Sequence, residues 1–327
     1  MVAAGADSAA DRMAAMSQAT DPTTELPAGR DPGDWLDVAA ARRGFGRAAA
    51  SVAGADALAR EIARRMAERL AFMRITPGRI LDLGCGAGAD LPMLESRYQQ
   101  ASIIGLDSAP ALLVRRAASG LGRLKSLFSK NRHAQVCADQ GAQPFASGAF
   151  DMVWSNLALA WTSHPQQAFA ELARVLKPGG LLMFSTYGPD TLRELRAAFA
   201  TVDSAPHVHP FIDMHDLGDM LAGGGFATPV MDMEVVTLTY DSVDGLFADL
   251  RATGQTNAAR DRRRALLGHR AAGRLRSAYE ATRRDGRLPA TFEIIYGHAW
   301  RGEPRVTPDG RSIIKFDRRH GSGTPGA

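Results

Sequence analysis

The sequence predicts an α/β protein: a doubly wound, seven-stranded, mostly parallel sheet with a helical insertion before its last strand. Three observations predict it. Five short apolar runs recur between Ile80 and Tyr187, most of them separated by helix-like segments, which is the pattern of parallel strands covered by helices. Two further strand-like runs follow, at 230–240 and 291–301. The first apolar run opens into a glycine-rich turn and then a helix, as in sheets that bind ligands at the carboxyl ends of their strands.

Residues 1–33 are small, polar and proline-containing, which predicts a disordered leader. The folded domain is expected over 34–302, with a basic flexible tail over 303–327. Leu58, Ile62, Met66 and Leu70 recur every four residues with charges between them, so 55–72 reads as an amphipathic helix. "GRILDLG", "ASIIGLD", "AQVCAD", "AFDMVWSN" and "GGLLMFSTY" are the five parallel strands, and Pro110–Ala118 and Gln166–Leu176 the clearest helices between them. "DTLRELRAAFATV" and "DMHDLGDMLAGGGF" read as helices, the second closed by glycines. "VMDMEVVTLTY" alternates like a half-exposed strand, and "TFEIIYGHAWR" is the last strand. Residues 241–286 between them read as helical and basic, a natural place for a substrate lid.

Hydrophobic residues make up 45% of the 327 and charged residues 23%, which suffices for a substantial core. No apolar run approaches the length of a bilayer span, and the N-terminus lacks the basic-then-apolar pattern of a secretory signal. Cys85 and Cys137 suit a reducing compartment and form no metal-ligand cluster. A cytoplasmic protein with no membrane span and no resident metal is expected. A net charge of +4 gives no nucleic-acid-binding tail. Arg260, Arg262, Arg263, Arg264, Arg270, Arg274 and Arg276 crowd one segment, either as a solvated helix face or as a docking patch for an acidic partner.

The strongest chemical signal is the run Ile80-Leu81-Asp82-Leu83-Gly84-Cys85-Gly86-Ala87-Gly88-Ala89-Asp90. Glycines at such a turn let backbone N–H groups approach a ligand. Gly84, Gly86 and Ala89 also satisfy a loose dinucleotide fingerprint. Three features favour S-adenosylmethionine instead. The glycines alternate at 84, 86 and 88 after Asp82; the second strand ends in Asp107, suited to ribose hydroxyls; the third ends in Asp139, suited to the adenine amino group. With "RVLKPGGLLMFS" at 174–185, this order resembles the class I S-adenosylmethionine-dependent methyltransferases over roughly Ile80–Tyr187. The resemblance implies that Asp82, Gly84, Cys85, Gly86, Gly88, Asp107, Ser108, Asp139 and Asn156 hold that cofactor.

The fourth strand ends in Ser155-Asn156-Leu157-Ala158, without the Pro-Pro run of enzymes that methylate amino groups of bases or glutamine. Nucleic acid is therefore not an expected substrate. "FGRAA" (45–49), "FDMVWSNLALAW" (150–161), "FAELARVLKPGG" and "PHVHPF" (206–211) resemble the malonyl-acyl-carrier-protein O-methyltransferase family, from about Phe45 to Trp300. The resemblance implies methylation of the free carboxylate of a malonyl thioester, which opens biotin synthesis, and an acidic acyl carrier protein as partner. Asn156, at the end of the fourth strand, and Tyr187, at the end of the fifth, are expected at the catalytic centre, and Trp161, Tyr187, Arg193, His207 and Phe211 toward the acceptor. An aliphatic carboxyl group, with a pKa of about 4, is already ionised near neutrality and needs no base, which fits the lack of an evident one. The family usually carries an aromatic residue where Val52 stands; Tyr187 and Trp161 are the candidates to replace it.

A second resemblance points to another reaction. "YGPDTLRELR", "HVHPF", "DLGDMLAGGGF" and "LPATFEIIYGHAW" are also similar to a complex I assembly factor of the same fold, associated with arginine hydroxylation. A generic small-molecule O- or C-methyltransferase is the third reading. His207 and His209 alternate in "PHVHPF", but no acid or cysteine stands at matching metal-ligand spacing.

Overall fold

The computed structural model describes residues 35–118 and 134–303, so the expected leader and all but the first residue of the expected tail lie outside the described residues. The strands are β1 Arg79–Leu83, β2 Ser102–Asp107, β3 Ala134–Cys137, β4 Phe150–Asn156, β5 Leu176–Tyr187, β6 Phe226–Tyr240 and β7 Leu288–Arg301. The helices among the described residues are α1 Val38–Ala48, α2 Val52–Ala55, α3 Ala57–Arg69, α4 Leu91–Arg97, α5 Pro110–Ala118, α6 Pro165–Val175, α7 Arg193–Ala200, α8 Met214–Gly223, α9 Val243–Thr253 and α10 His269–Glu280. None of them is long and apolar enough to cross a membrane.

The sheet has the order β3-β2-β1-β4-β5-β7-β6. The first five strands pair in parallel, while β7 runs antiparallel to both β5 and β6. The expected seven-stranded, mostly parallel sheet is therefore the observed one. β1 pairs with β2 on one side and β4 on the other, so the order in which strands are added reverses there and a crevice opens at the carboxyl ends of these strands.

Alternation along the strands divides the core into two faces. Ile80, Met152, Trp154, Leu181 and Met183 pack on one face with Ile62, Met66 and Leu70, the stripe that predicted the first long helix. Leu81, Val153, Leu182 and Phe184 pack on the other with Phe169 and Leu172 of α6. The β4–β5 register shifts between Phe150 and Met152, which lengthens β5 back to Leu176 beyond the expected "GGLLMFSTY".

The basic insertion is not helical throughout. α9 stops at Gly254, whose φ of +79° is a left-handed helix end, and 254–268 is irregular before α10 begins. That irregular stretch is zipped to the chain just before α1. Asp37 N donates to Ala258 O at 2.8 Å, Arg260 N donates to Trp35 O at 2.8 Å, and Leu36 bridges Ala259. Asp37 also caps α1 through Ala40 N and pairs with Arg262 at 2.9 Å. Arg263 pairs with Asp203 and Arg276 with Asp244. Part of the arginine cluster thus holds the insertion in place, and only its second half lies on a helix.

Gly254 shows why this joint is specific. A Cβ there would lie 2.9 Å from Phe45 Cα, at a backbone angle that side chains rarely adopt. Gly254→Val should destabilise the protein by roughly 2–4 kcal/mol through strain and overpacking. A denaturant melt checks this; an unchanged midpoint would refute the joint.

Candidate active site

A cavity of about 620 Å³ lies at the carboxyl ends of β1, β2 and β4, beneath α1, α2 and the start of α3. That volume suits a ligand of nucleotide size. Its floor is the glycine turn between β1 and α4, where Gly84, Gly86 and Gly88 have φ of +73°, +49° and +83°. At Gly84 there is also no room: a Cβ would lie 2.1 Å from that of Ala158. Gly84 N and Cys85 N both donate to Leu106 O, and Gly86 N donates to Asp107 Oδ2 at 2.9 Å. Ala109 N donates to the other Asp107 oxygen at 2.7 Å. Burial pushes the Asp107 carboxyl above its ordinary pKa, while the N–H groups of Ala109, Gly86 and Ser108 pull it back.

All nine residues expected to hold the cofactor line this one cavity: Asp82, Gly84, Cys85, Gly86, Gly88, Asp107, Ser108, Asp139 and Asn156. One detail differs. β3 stops at Cys137, so Asp139 sits in the turn beyond it rather than at the strand end, with Oδ1 accepting from Gly141 N at 2.8 Å. The sequence reading missed Asp90, which follows the third glycine by two residues. Its carboxylate accepts from Trp154 Nε1 at 2.8 Å, and burial pushes its pKa up, opposed by hydrogen bonds from Trp154 and Asn156. Among the described residues the lining holds six aspartates and two arginines. An anionic wall over an open glycine cradle fits S-adenosylmethionine, which carries a sulfonium and an ammonium group.

Asn156 ends β4 as a pin. Its Nδ2 donates to Ala59 O on α3 at 2.9 Å, and its Oδ1 accepts from Ser185 Oγ on β5 at 2.9 Å. The next residue, Leu157, sits at φ +58° with its N–H on Ser185 Oγ, so the chain turns sharply there. The Asn156 amide faces the cavity but is committed to structure on both ends.

A second cavity of about 400 Å³ adjoins the first. Trp161, Leu250, Gln255 and Phe292 line both and form the partition between them. Of the residues expected to face the acceptor, Trp161, Tyr187, His207 and Phe211 meet here. Arg193 does not. It starts α7 with its side chain more than half exposed, pairs with Asp190 at 3.2 Å and lines neither cavity. Tyr187 is buried and donates its hydroxyl to Gln255 Oε1 at 2.8 Å. Burial pushes its phenol pKa well up, so it stays protonated. Val52 lines the first cavity, and of the two aromatics proposed to compensate for it only Trp161 reaches that space, packed edge-on against Phe45 at 4.9 Å.

The two alternating histidines part company. His207 Nε2 lies 2.8 Å from Asp203 Oδ1, and its ring stacks on Phe199 at 3.7 Å. His209 is 3% exposed, between Trp161 and Phe211, and its Nε2 has no hydrogen-bond partner among the described residues. Nothing in the sequence distinguishes them, because the burial of His209 involves packing on Trp161, which is remote in the chain. Gln255 was missed for the same reason.

Burial, with Arg196 adding repulsion, lowers the His209 pKa to about 3. The folded state then refuses a proton that the unfolded chain binds below its ordinary value of about 6.5. Stability should fall as pH drops from 6.5 toward 3, by about 2 kcal/mol at pH 5 from this group. Comparing His209→Phe with the parent in melts at pH 7 and pH 5 checks the sign; equal pH slopes would refute it.

The comparisons agree with this geometry. Residues 81–184 match the family model described as a methyltransferase domain. The fold resembles that of the YcgJ protein from Bacillus subtilis, with a TM-score of 0.51 at 17% identity, covering 75% of this chain and all of that one. A malonyl-[acyl-carrier protein] O-methyltransferase of Laribacter hongkongensis is 50% identical over 86% of this chain and 96% of its own length. Its namesake in Gallionella capsiferriformans is 49% identical over 86% of this chain and 96% of its own length. The glycine turn, the acid-lined cavity and the chamber beside it thus sit in a chain that belongs to the malonyl-[acyl-carrier protein] O-methyltransferase family of class I methyltransferases.

Proposed function

We propose that the protein moves the methyl group of S-adenosylmethionine to the free carboxylate of a malonyl thioester on an acyl carrier protein, the step that opens biotin synthesis. The observation that carries this is the pair of cavities meeting at one partition. The anionic one fits the cofactor and the second, largely aromatic one fits an acyl acceptor. The relatives' names favour this reading over arginine hydroxylation and over a generic O- or C-methyltransferase.

S-adenosylmethionine supplies a methyl carbon made electrophilic by its sulfonium. The acceptor carboxylate is ionised at neutral pH and needs no proton removed. In this transfer the oxygen–carbon bond would form as the sulfur–carbon bond breaks, so the negative and positive charges would vanish together and leave a neutral ester and a neutral thioether. The protein's part is to position and to keep water out. The glycine turn and Asp107 hold the cofactor side, and Asn156 fixes the β4 end beside it. Trp161, Leu250 and Phe292 shield the meeting point, and the insertion acts as the lid. Tyr187 orients rather than accepts a proton. For the acidic carrier protein, Arg260, Arg264, Arg270 and Arg274 remain exposed as a docking face.

With S-adenosylmethionine and malonyl-acyl-carrier protein, mass spectrometry should show one methyl gained, and the gene should restore growth without biotin to a strain lacking this methyltransferase. Gain of an oxygen atom on a protein arginine would favour the hydroxylase instead. Asp107→Ala should weaken cofactor binding about 10- to 100-fold by calorimetry, since it removes charge-assisted hydrogen bonds; normal affinity would sink its assignment.

A further inference from the structure

The partition has one carboxamide, Gln255, and its orientation is set. Tyr187 donates to Gln255 Oε1 at 2.8 Å, so the two N–H bonds on Nε2 are left for another partner. Tyr187 can only act as that donor while protonated, and its burial keeps it so. Beside the partition, His209 packs against Trp161 with centroids 4.7 Å apart, and its Nε2 is buried without a protein partner among the described residues. A buried polar atom left this way calls for a ligand or a water. The three arginines that line the same cavity each have another contact: Arg262 is held by Asp37, Arg263 by Asp203, and Arg251 lies over the Phe247 ring at 5.9 Å.

We infer that Gln255, oriented by Tyr187, is the binding site for the acceptor's carboxylate at the partition, with His209 as a second uncharged contact. This deepens the malonyl reading and rests on it. An uncharged site is what the reaction favours. The attacking oxygen loses its negative charge on the way to the transition state. An ion pair with arginine would therefore stabilise the bound substrate more than the transition state and slow the chemical step. A carboxamide and a neutral imidazole orient the oxygen with a smaller penalty of that kind. Gln255 and His209 are thus binding residues, and Tyr187 is a positioning residue that acts through Gln255.

The test uses the full chain with malonyl- and acetyl-acyl-carrier protein, the second serving as a competitor that lacks the carboxylate. Gln255→Glu keeps the shape and the Tyr187 bond but turns a donor into a like charge. It should raise KM for malonyl-acyl-carrier protein at least tenfold and leave the inhibition constant of the acetyl form unchanged. Tyr187→Phe and His209→Phe should shift the malonyl KM in the same direction by a few-fold, again sparing the acetyl form. Gln255→Arg should lower KM and lower kcat. Cofactor affinity by calorimetry should stay at the parent value in Tyr187→Phe and His209→Phe, which line only the second cavity. Equal weakening of both acyl forms, or an unchanged malonyl KM in Gln255→Glu, overturns the subsite and points to the cavity arginines. A parent protein that binds S-adenosylmethionine but forms no methyl ester overturns the malonyl reading, and the subsite with it.

Discussion

The site depends on how closely two turns approach each other. Gly84, after β1, has no space for a Cβ against Ala158, which follows β4. Both turns belong to strands that sit side by side at the point where the strand order reverses. Their contact forms part of the floor of the first cavity. Asn156 and Ser185 then lock the β4 turn to β5 on one side and to α3 on the other. These part-buried bonds use both ends of the Asn156 amide, so the crevice is braced by neighbouring elements and not by the loop alone.

The cover is built differently. Here the parts come from opposite ends of the domain. The short segment Trp35–Asp37 pairs with residues 258–260 of the insertion through backbone hydrogen bonds, and Arg262 adds a charge contact to Asp37. α1 and α9 therefore cover the strand ends together, and Ser51 ties the turn after α1 to Ala252. The contact between Phe45 and Trp161 carries this cover down to the loop after β4. A segment remote in sequence thus packs over the cavity that β1 and β4 floor, and Trp161 shares its lining with Val52.

The two cavities differ in electrical character, and the difference follows the chemistry. The first cavity is rich in carboxylates, of which burial pushes Asp90 and Asp107 toward protonation, and its character suits the cation proposed for it. The second has aromatic walls, and at the partition it offers neutral polar groups. In the proposed transfer charge is annihilated, so neither side gains from a full countercharge at the meeting point.

Much of this was written locally in the chain. Short apolar runs ended by acids or glycines, with helices between them, determined the parallel sheet, because strand burial on both faces demands them. Asp82, the three alternating glycines and Asp107 marked the floor of the first cavity, because a tight turn before a helix needs glycine. Leu58 to Leu70 announced α3 by its stripe. What the chain did not reveal was which polar side chains become buried. His207 and His209 look alike in "PHVHPF", yet one pairs with Asp203 and the other is sealed against Trp161. Arg193 looked ready for an acceptor and points outward, while Gln255, in a stretch read as plain helix, stands on the partition. Local sequence determines elements through periodicity and turn chemistry. Burial and orientation around the second cavity arise only when segments remote in the chain pack together beyond the strand ends, and that is a long-range event that only the tertiary structure decided.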